Sequence, residues 1–272
     1  MNLDHKEFNS FRRGRVNAFR ESRKQRVLRN NLEKRFYRTL ITLFRKFINT
    51  QLYIYKEFGY FTPQLAEERL NEDFIPLIMS HYRRVFKAIY KNNEDNYMMS
   101  RKAEEAFVFG RSFDFEALVA QYFATRQLIL VGISSRIANR ISNKIEEGRL
   151  AGMTLEGIAN LVSKEMTIIT RSRAALIART ETHNAASFAN HSYHKTVQQD
   201  LGVKMLKKWV ATNDERTRSA HSEASGQTVD MDEDFIVGGV PMGYAGDSKG
   251  GAKNVINCRC VIVYADERDM EA

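Results

Sequence analysis

Only three prolines, Pro63, Pro76 and Pro241, interrupt the 272-residue chain, and its 15 glycines are thin until the last quarter. That scarcity argues against many short strands joined by tight turns and leaves room for long helices. Cysteine is almost missing: Cys258 and Cys260 stand one residue apart, too close for an unstrained disulfide that would staple anything. Such usage points to a reducing, cytosolic origin. The longest apolar run, Leu128 to Ile133, is about six residues with one glycine, against roughly 20 for a membrane-spanning helix, so the sequence predicts no transmembrane segment. The polar, basic N-terminus has no apolar stretch of the secretory kind. Hydrophobic residues (43%) and charged residues (28%) are both in ordinary supply, which excludes a wholly disordered chain.

Acidic residues are scarce only at one end. Residues 1–56 hold 15 Lys and Arg against 4 Asp and Glu, a net of +11, whereas the remainder holds 27 against 29. The overall +9 is therefore an arm rather than a property of the whole chain, and such asymmetry points to nucleic acid or another polyanion. Arg12, Arg13, Arg15, Arg20, Arg23, Lys24, Arg26 and Arg29 are the candidate contacts, interleaved with Phe8, Phe11 and Phe19. Arginine forks onto phosphate oxygens as lysine cannot. With no base-reading fold in evidence, binding would be sequence-independent and salt-sensitive. A solvated helix face is the plain alternative. On this reading residues 1–29 can be deleted with the C-terminal part still folded.

Apolar residues at Leu28, Leu32, Phe36, Leu40, Phe44 and Phe47 lie three to four apart, which predicts one helical stripe. Further helices are expected over 63–91, with a turn at Asn92 to Asn96, and over 113–145, with Gly148 and Gly152 as stops. Thr154 is expected to cap a short helix to about Lys164, and an alanine-rich helix follows from about Thr170 to Gln199. Beyond Gly202 the pattern changes: a strand over 203–211 containing Trp209, a short helix opened by Asp214, a turn at Ala224 to Gly226, a glycine-rich loop over 238–252, and a last strand over 255–264.

The final 95 residues carry an ordered series: Ala178-Arg179-Thr180-Glu181-Thr182, then Lys208-Trp209-Val210-Ala211-Thr212, Asp214-Glu215-Arg216-Thr217-Arg218 with His221, Ser225-Gly226-Gln227-Thr228-Val229, Phe235, and Asn257-Cys258-Arg259-Cys260. The series resembles the phage head morphogenesis family, the Mu F-like or SPP1-type minor capsid proteins encoded beside the portal gene. The resemblance implies a structural virion protein without enzymatic activity or cofactor, bound at the portal vertex inside the head and assembled in the host cytoplasm. It would assist head assembly and touch packaged double-stranded DNA. The portal protein is the implied partner, a scaffolding or major capsid protein is a further candidate, and no membrane is involved. Under the resemblance Trp209, Asp214, Arg216, Thr217, His221, Gly226, Asn257, Cys258, Arg259 and Cys260 are scaffold residues. Trp209 would fill the core, Asp214 would cap the helix after the strand, and Asn257 and Arg259 would tie the last strand to the loop.

The rival reading is a packaged or injected enzyme with zinc at His221, Cys258 and Cys260, because His221-Ser222-Glu223 and the Cys pair superficially match the zinc deaminase pattern. Asn257 stands where that pattern has proline, and C-x-C replaces C-x-x-C. The set is also one ligand short of a closed structural site, so buried apolar thiols and no metal are the simpler expectation. His183, His191 and His194 share a helix without the glutamate of H-E-x-x-H. Arg179 and Glu181 resemble the Arg and Glu of ADP-ribosyltransferases, yet a glutamate within that helix reads more simply as a salt bridge. The glycine-rich loop fits no phosphate-cradling motif.

The sequence as a whole predicts an α+β protein, a long helical N-terminal region followed by a small mixed α/β C-terminal domain. Its expected divisions are a basic helical arm over 1–56, a helical domain over 57–200 and a small α+β domain over 201–272, with the family pattern starting near residue 178.

Overall fold

The computed structural model describes residues 18–100 and 114–267. It is α+β: four long helices precede a small region of short helices and antiparallel strands. Helix α1 spans Ala18–Phe58, α2 Pro63–Ser100, α3 Phe115–Leu150 and α4 Leu155–Leu201. On α1 the expected stripe is buried at Phe36, Leu40, Phe44 and Phe47, while Lys34, Arg35, Arg38, Arg45 and Lys46 stay exposed. The helix stops at Gly59, whose φ of 72° closes the last turn with its N–H donating to the Tyr55 carbonyl at 2.8 Å. Pro63 then opens α2, where a missing N–H costs nothing.

Three expected breaks are absent. Asn92 to Asn96 lies inside α2: Asn93 is buried, and its Nδ2 donates to Asn190 Oδ1 at 2.7 Å, so a tertiary partner overrides the residue's turn preference. Gly148 does not stop α3. It lies within the helix, where a Cβ would come within 2.6 Å of Ile158 Cγ1, so the glycine serves close packing. The two helices expected between 155 and 199 are one, α4. The Thr154 cap is present, its Oγ1 accepting from Gly157 N at 3.1 Å, and the helix ends at Gly202 with φ 62°.

The strands are β1 Met205–Val210, β2 Thr228–Asp230, β3 Phe235–Val237, β4 Val240–Met242 and β5 Val261–Asp266. β1 is central, antiparallel to β2 on one side and to β5 on the other, with Lys207 opposite both Val229 and Tyr264. β3 and β4 form a separate hairpin turned by Gly238 and Gly239, both at positive φ (58° and 78°). Residues 238–252 are therefore a hairpin turn, β4, a 3-10 turn at Ser248–Gly250 and the start of helix α6, Gly251–Val255, rather than one open loop. Helix α5 is Ser219–Glu223.

The described chain gathers into two compact units that differ from the sequential divisions at residues 56 and 200. One draws on Met1–Asn31, Val85–Phe115 and Thr182–Ala272, the other on Leu32–Arg84 and Glu116–Glu181. The boundaries at 31, 84 and 181 fall inside α1, α2 and α4, so long helices are shared between units instead of being confined to one.

Among the described residues, α3 alone is long and apolar enough by composition to cross a membrane. Its buried face, however, carries Arg126 and Ser134 along with Tyr122, Leu130 and Ile137, and Arg126 is paired there to a carboxylate, as in the core helix of a globular unit.

Candidate functional site

In the first unit the C-terminal motif residues converge on the segment Ile256 to Ile262. Trp209 is wholly buried on the inward face of β1, edge-on to His221 (ring centroids 5.7 Å apart) and to Phe235 (5.4 Å). Gly226, at φ 93°, brings its N–H onto the Trp209 carbonyl at 2.8 Å, and Trp209 N donates to Gln227 O at 2.9 Å. Asp214 does not cap a helix. Its Oδ1 accepts from Arg216 N and the Thr217 hydroxyl to fix a turn, and its carboxylate takes a two-pronged contact from Arg259, one prong at 2.6 Å. Arg259 beside it holds the Asp214 carboxyl well below the usual carboxylate range. Helix α5 begins five residues later with no side-chain cap.

The C-x-C pair precedes β5 rather than lying within it. Asn257 adopts a left-handed φ of 58°, Arg259 turns outward to Asp214, and Cys258 and Cys260 both point inward, 2% exposed. His221 Nδ1 lies 3.3 Å from Cys260 Sγ and 3.6 Å from Cys258 Sγ. The hydrogen bond between the two thiols lowers the Cys258 pKa, with Arg29 and Arg218 assisting against burial, and it raises that of Cys260. Glu223 is exposed, so it is not sealed in beside the three as a proton shuttle would be.

Four carbonyls of this segment are gripped from elsewhere in the unit: Ile256 by Arg218 (2.5 Å), Arg259 and Cys260 by Arg29 (3.3 and 3.2 Å), and Ile262 by Gln25 (3.3 Å). Arg29 also contacts His183 Nδ1, and burial, then Arg29, then His221 hold His183 neutral, far below its ordinary pKa. Arg29 is therefore not an exposed contact for a polyanion; it is 7% exposed and ties α1 to the last strand's approach. Arg26 is half-buried and donates to the Ala211 carbonyl at 3.2 Å. Arg20, Arg23 and Lys24 are exposed, and Arg12, Arg13 and Arg15 lie outside the described residues. These ties correct the expectation that residues 1–29 are dispensable for folding, since Gln25, Arg26 and Arg29 would go with them.

A tight approach elsewhere in this unit yields a direct test. At Gly246, φ 91°, a Cβ would come within 2.3 Å of Asn184 Oδ1, so Gly246→Ala is expected to lower the urea-denaturation stability by about 1–3 kcal/mol through clash and backbone strain together.

In the second unit Glu181 is sealed. Its carboxylate accepts from Tyr82 Oη at 2.6 Å and from Arg126 at 2.5 and 3.2 Å, all three side chains being nearly inaccessible. Arg179 faces Glu33 at 3.4 Å. The pair suggestive of an ADP-ribosyltransferase is thus two separate ion pairs. Sequence reading missed Tyr82, Arg126 and the buried Lys207, although two of them sit plainly on the inward stripe of their element: Arg126 four residues from Tyr122 and Leu130, Lys207 two from Met205 and Trp209. Lys207 Nζ donates to the Gly243 carbonyl at 2.8 Å, and burial lowers its pKa to about 8.

Residues 139–263 match the family described as Phage Mu protein F like protein, so the shared region begins well before residue 178 and takes in the end of α3 and all of α4. The chain is 31% identical over 203 residues to the minor head protein GP7 of Bacillus phage SPP1, covering 69% of this chain and 64% of that protein. It is 32% identical over 130 residues to the NAD(+)-arginine ADP-ribosyltransferase EFV of Enterococcus faecalis, covering 47% of this chain and 26% of that protein. The chain thus spans somewhat under two thirds of the first relative and about a quarter of the second, and most of the transferase lies outside the match. No solved structure matches. The shared region and the motif residues it packs around Trp209 place this chain in the phage head morphogenesis family of Phage Mu protein F like proteins.

Proposed function

We propose that the chain is a structural minor head protein of a phage virion, seated inside the capsid at the portal vertex, where it assists head assembly and contacts packaged double-stranded DNA. The observation that carries this reading is the 203-residue likeness to a minor head protein, joined to chemistry-bearing side chains that are buried and engaged within each unit separately. Glu181 is closed off by Arg126 and Tyr82, and His221 with the two cysteines lies behind Trp209. A buried set of this kind holds a fold together; it offers a substrate no approach.

The basic contact is narrower than the sequence suggested. Arg20, Arg23 and Lys24 are the exposed basic residues at the start of α1 in the first unit, and Lys34, Arg35, Arg38, Arg45 and Lys46 are exposed in the second. Lys24 is paired with Glu21 at 3.5 Å and Lys46 with Asp73 at 3.8 Å, and the excess of basic residues over these acids favours a polyanion without reading its sequence. The portal is the protein partner proposed, and a scaffolding or major capsid protein is the next to test.

The deciding experiment is co-purification of the tagged chain with the portal protein encoded nearby, together with its detection in assembled heads. Absence from both would overturn the reading. For DNA, changing Arg20, Arg23 and Lys24 to glutamine is expected to reduce the salt dependence of duplex retention by about 0.9 in log–log slope for each phosphate that is no longer neutralised. A slope unchanged by all three substitutions would assign that surface to a protein partner.

A further inference from the structure

We propose that the groove between α1 and α2 in the second unit is a docking site for an acidic amphipathic helix of a protein partner. The proposal rests on the reading of the chain as a head protein that assembles with other proteins, and it names the kind of segment one of them would offer. The groove is open, has a volume of about 480 Å³ and lies wholly within that unit. Leu43 of α1 and Leu77 of α2 are its half-buried floor, and Arg38 and Lys46 of α1 are its exposed basic rim.

The lining specifies the occupant. Between the two cations stand Thr39 and Thr42, and each turns its hydroxyl back onto its own helix: Thr39 Oγ1 donates to the Arg35 carbonyl at 3.2 Å and Thr42 Oγ1 to the Arg38 carbonyl at 3.1 Å. With those hydroxyls spent, the threonines offer a partner chiefly their methyl groups. Arg38 and Lys46 are eight positions apart, about 12 Å along the helix axis. A helix laid in the groove meets the leucines and threonines with an apolar stripe repeating every third or fourth residue. Carboxylates about two turns apart on its flank then reach both cations. Lys34, Arg35 and Arg45, all exposed on α1, extend the positive edge and steer an acidic segment towards it.

The same features disfavour the other occupants. Duplex DNA gains nothing from an apolar floor, and the Asp73 carboxylate, 58% exposed and 3.8 Å from Lys46, repels phosphate in the groove itself. A second copy of the chain, meeting this face about a two-fold axis, would set basic edge against basic edge.

The test uses the full-length chain and a fluorescent peptide of about 18 residues, five helical turns, with leucine along one stripe, glutamate on its flanks and alanine elsewhere. A scrambled peptide of the same composition keeps the charge and loses the stripe. The striped peptide is expected to bind at least tenfold more tightly than the scrambled one. Thr39→Trp with Thr42→Trp fills the groove from two exposed positions, and Arg38→Glu with Lys46→Glu inverts its rim; each pair should weaken binding of the striped peptide at least tenfold. Equal binding of the two peptides would show attraction to negative charge alone and overturn the proposal, as would undiminished binding by both double variants. A wild-type dimer in light scattering that the tryptophan pair dissolves would assign the groove to a second copy and overturn it too. Should a double variant fail to fold by circular dichroism, the other variant and the comparison of peptides on the wild type decide. No phage component enters the peptide measurement, so a chain found in heads that ignores the stripe loses this proposal alone, and one that binds the striped peptide but is absent from heads loses only the structural reading.

Discussion

Replacing Glu181 with alanine is expected to cost about 3–5 kcal/mol of stability, because it strands a guanidinium inside the protein. Arg126 is 3% exposed and points both of its prongs at the Glu181 carboxylate, and Tyr82 supplies the third hydrogen bond. The other groups acting on that charge are two phenols, Tyr82 and Tyr122, whose rings meet edge to face at 4.8 Å. Removing the cation as well should restore much of the loss, so Arg126→Met combined with Glu181→Met is expected to be far closer to wild type than Glu181→Ala alone. Tyr82→Phe keeps the ring and deletes one donor to a charged acceptor, a loss of about 1.5–3 kcal/mol. Urea denaturation of the wild type and the three variants measures all of this. A cost under about 1 kcal/mol for Glu181→Ala would mean that the carboxylate is solvated, which its burial forbids.

The second large effect is a loss of stability in mild acid. His81 lies flat against Phe36, with centroids 3.8 Å apart, and burial first, then Arg84, depress its pKa to about 3. His194 stacks on Tyr264 at 4.4 Å, and burial brings it to about 4 even though its contact with the Asn190 carbonyl pulls the other way. His191, beside Tyr244 and Tyr264, is held at about 3 by burial and then by Lys207 and Lys195. An unfolded histidine titrates near 6.5, so between that pH and about 4 the unfolded chain binds protons that the folded chain refuses. Stability therefore falls as pH falls through this window. The slope approaches about 1.4 kcal/mol per pH unit for each histidine, or roughly 4 for the three together. Urea midpoints at a few pH values from neutrality downward should show the decline, and His81→Gln should make it shallower by about one histidine's share. Stability that holds flat across the window would show these imidazoles free to take up protons in the folded state.

Much of the helical architecture is legible in residue spacing. The Leu32 to Phe47 stripe, the Thr154 cap and the stop at Gly202 are local features, and local physics decides them. The breaks that spacing misplaces share a cause. Asn93 and Gly148 carry turn and stop preferences, but Asn93 is held in its helix by the distant Asn190, and Gly148 stands in α3 because Ile158 packs where a Cβ would be. One buried cation is legible in principle: Arg29 stands three residues before Leu32 and seven before Phe36, on the apolar stripe, yet its charge groups it with its basic neighbours. The Cys258, Cys260 and His221 set is visible as residue types, which is why the zinc deaminase pattern arises at all. The backbone turn at Asn257 and the placement of α5 are not written in any local pattern, and together they turn three scattered letters into one cluster.

The grip of Arg29 on the Cys260 carbonyl spans 231 positions of chain. A ribosome adding about 5–20 residues per second leaves on the order of 10–50 s between the two. For that whole interval the arginine has no acceptor from the last strand's approach, and the first turns of α1 wait in water. The unit containing them can close only after the residues leading into β5 have been made. A polypeptide released before that point would carry long helices without the segment that Arg29 grips, a state that proteolysis can recognise.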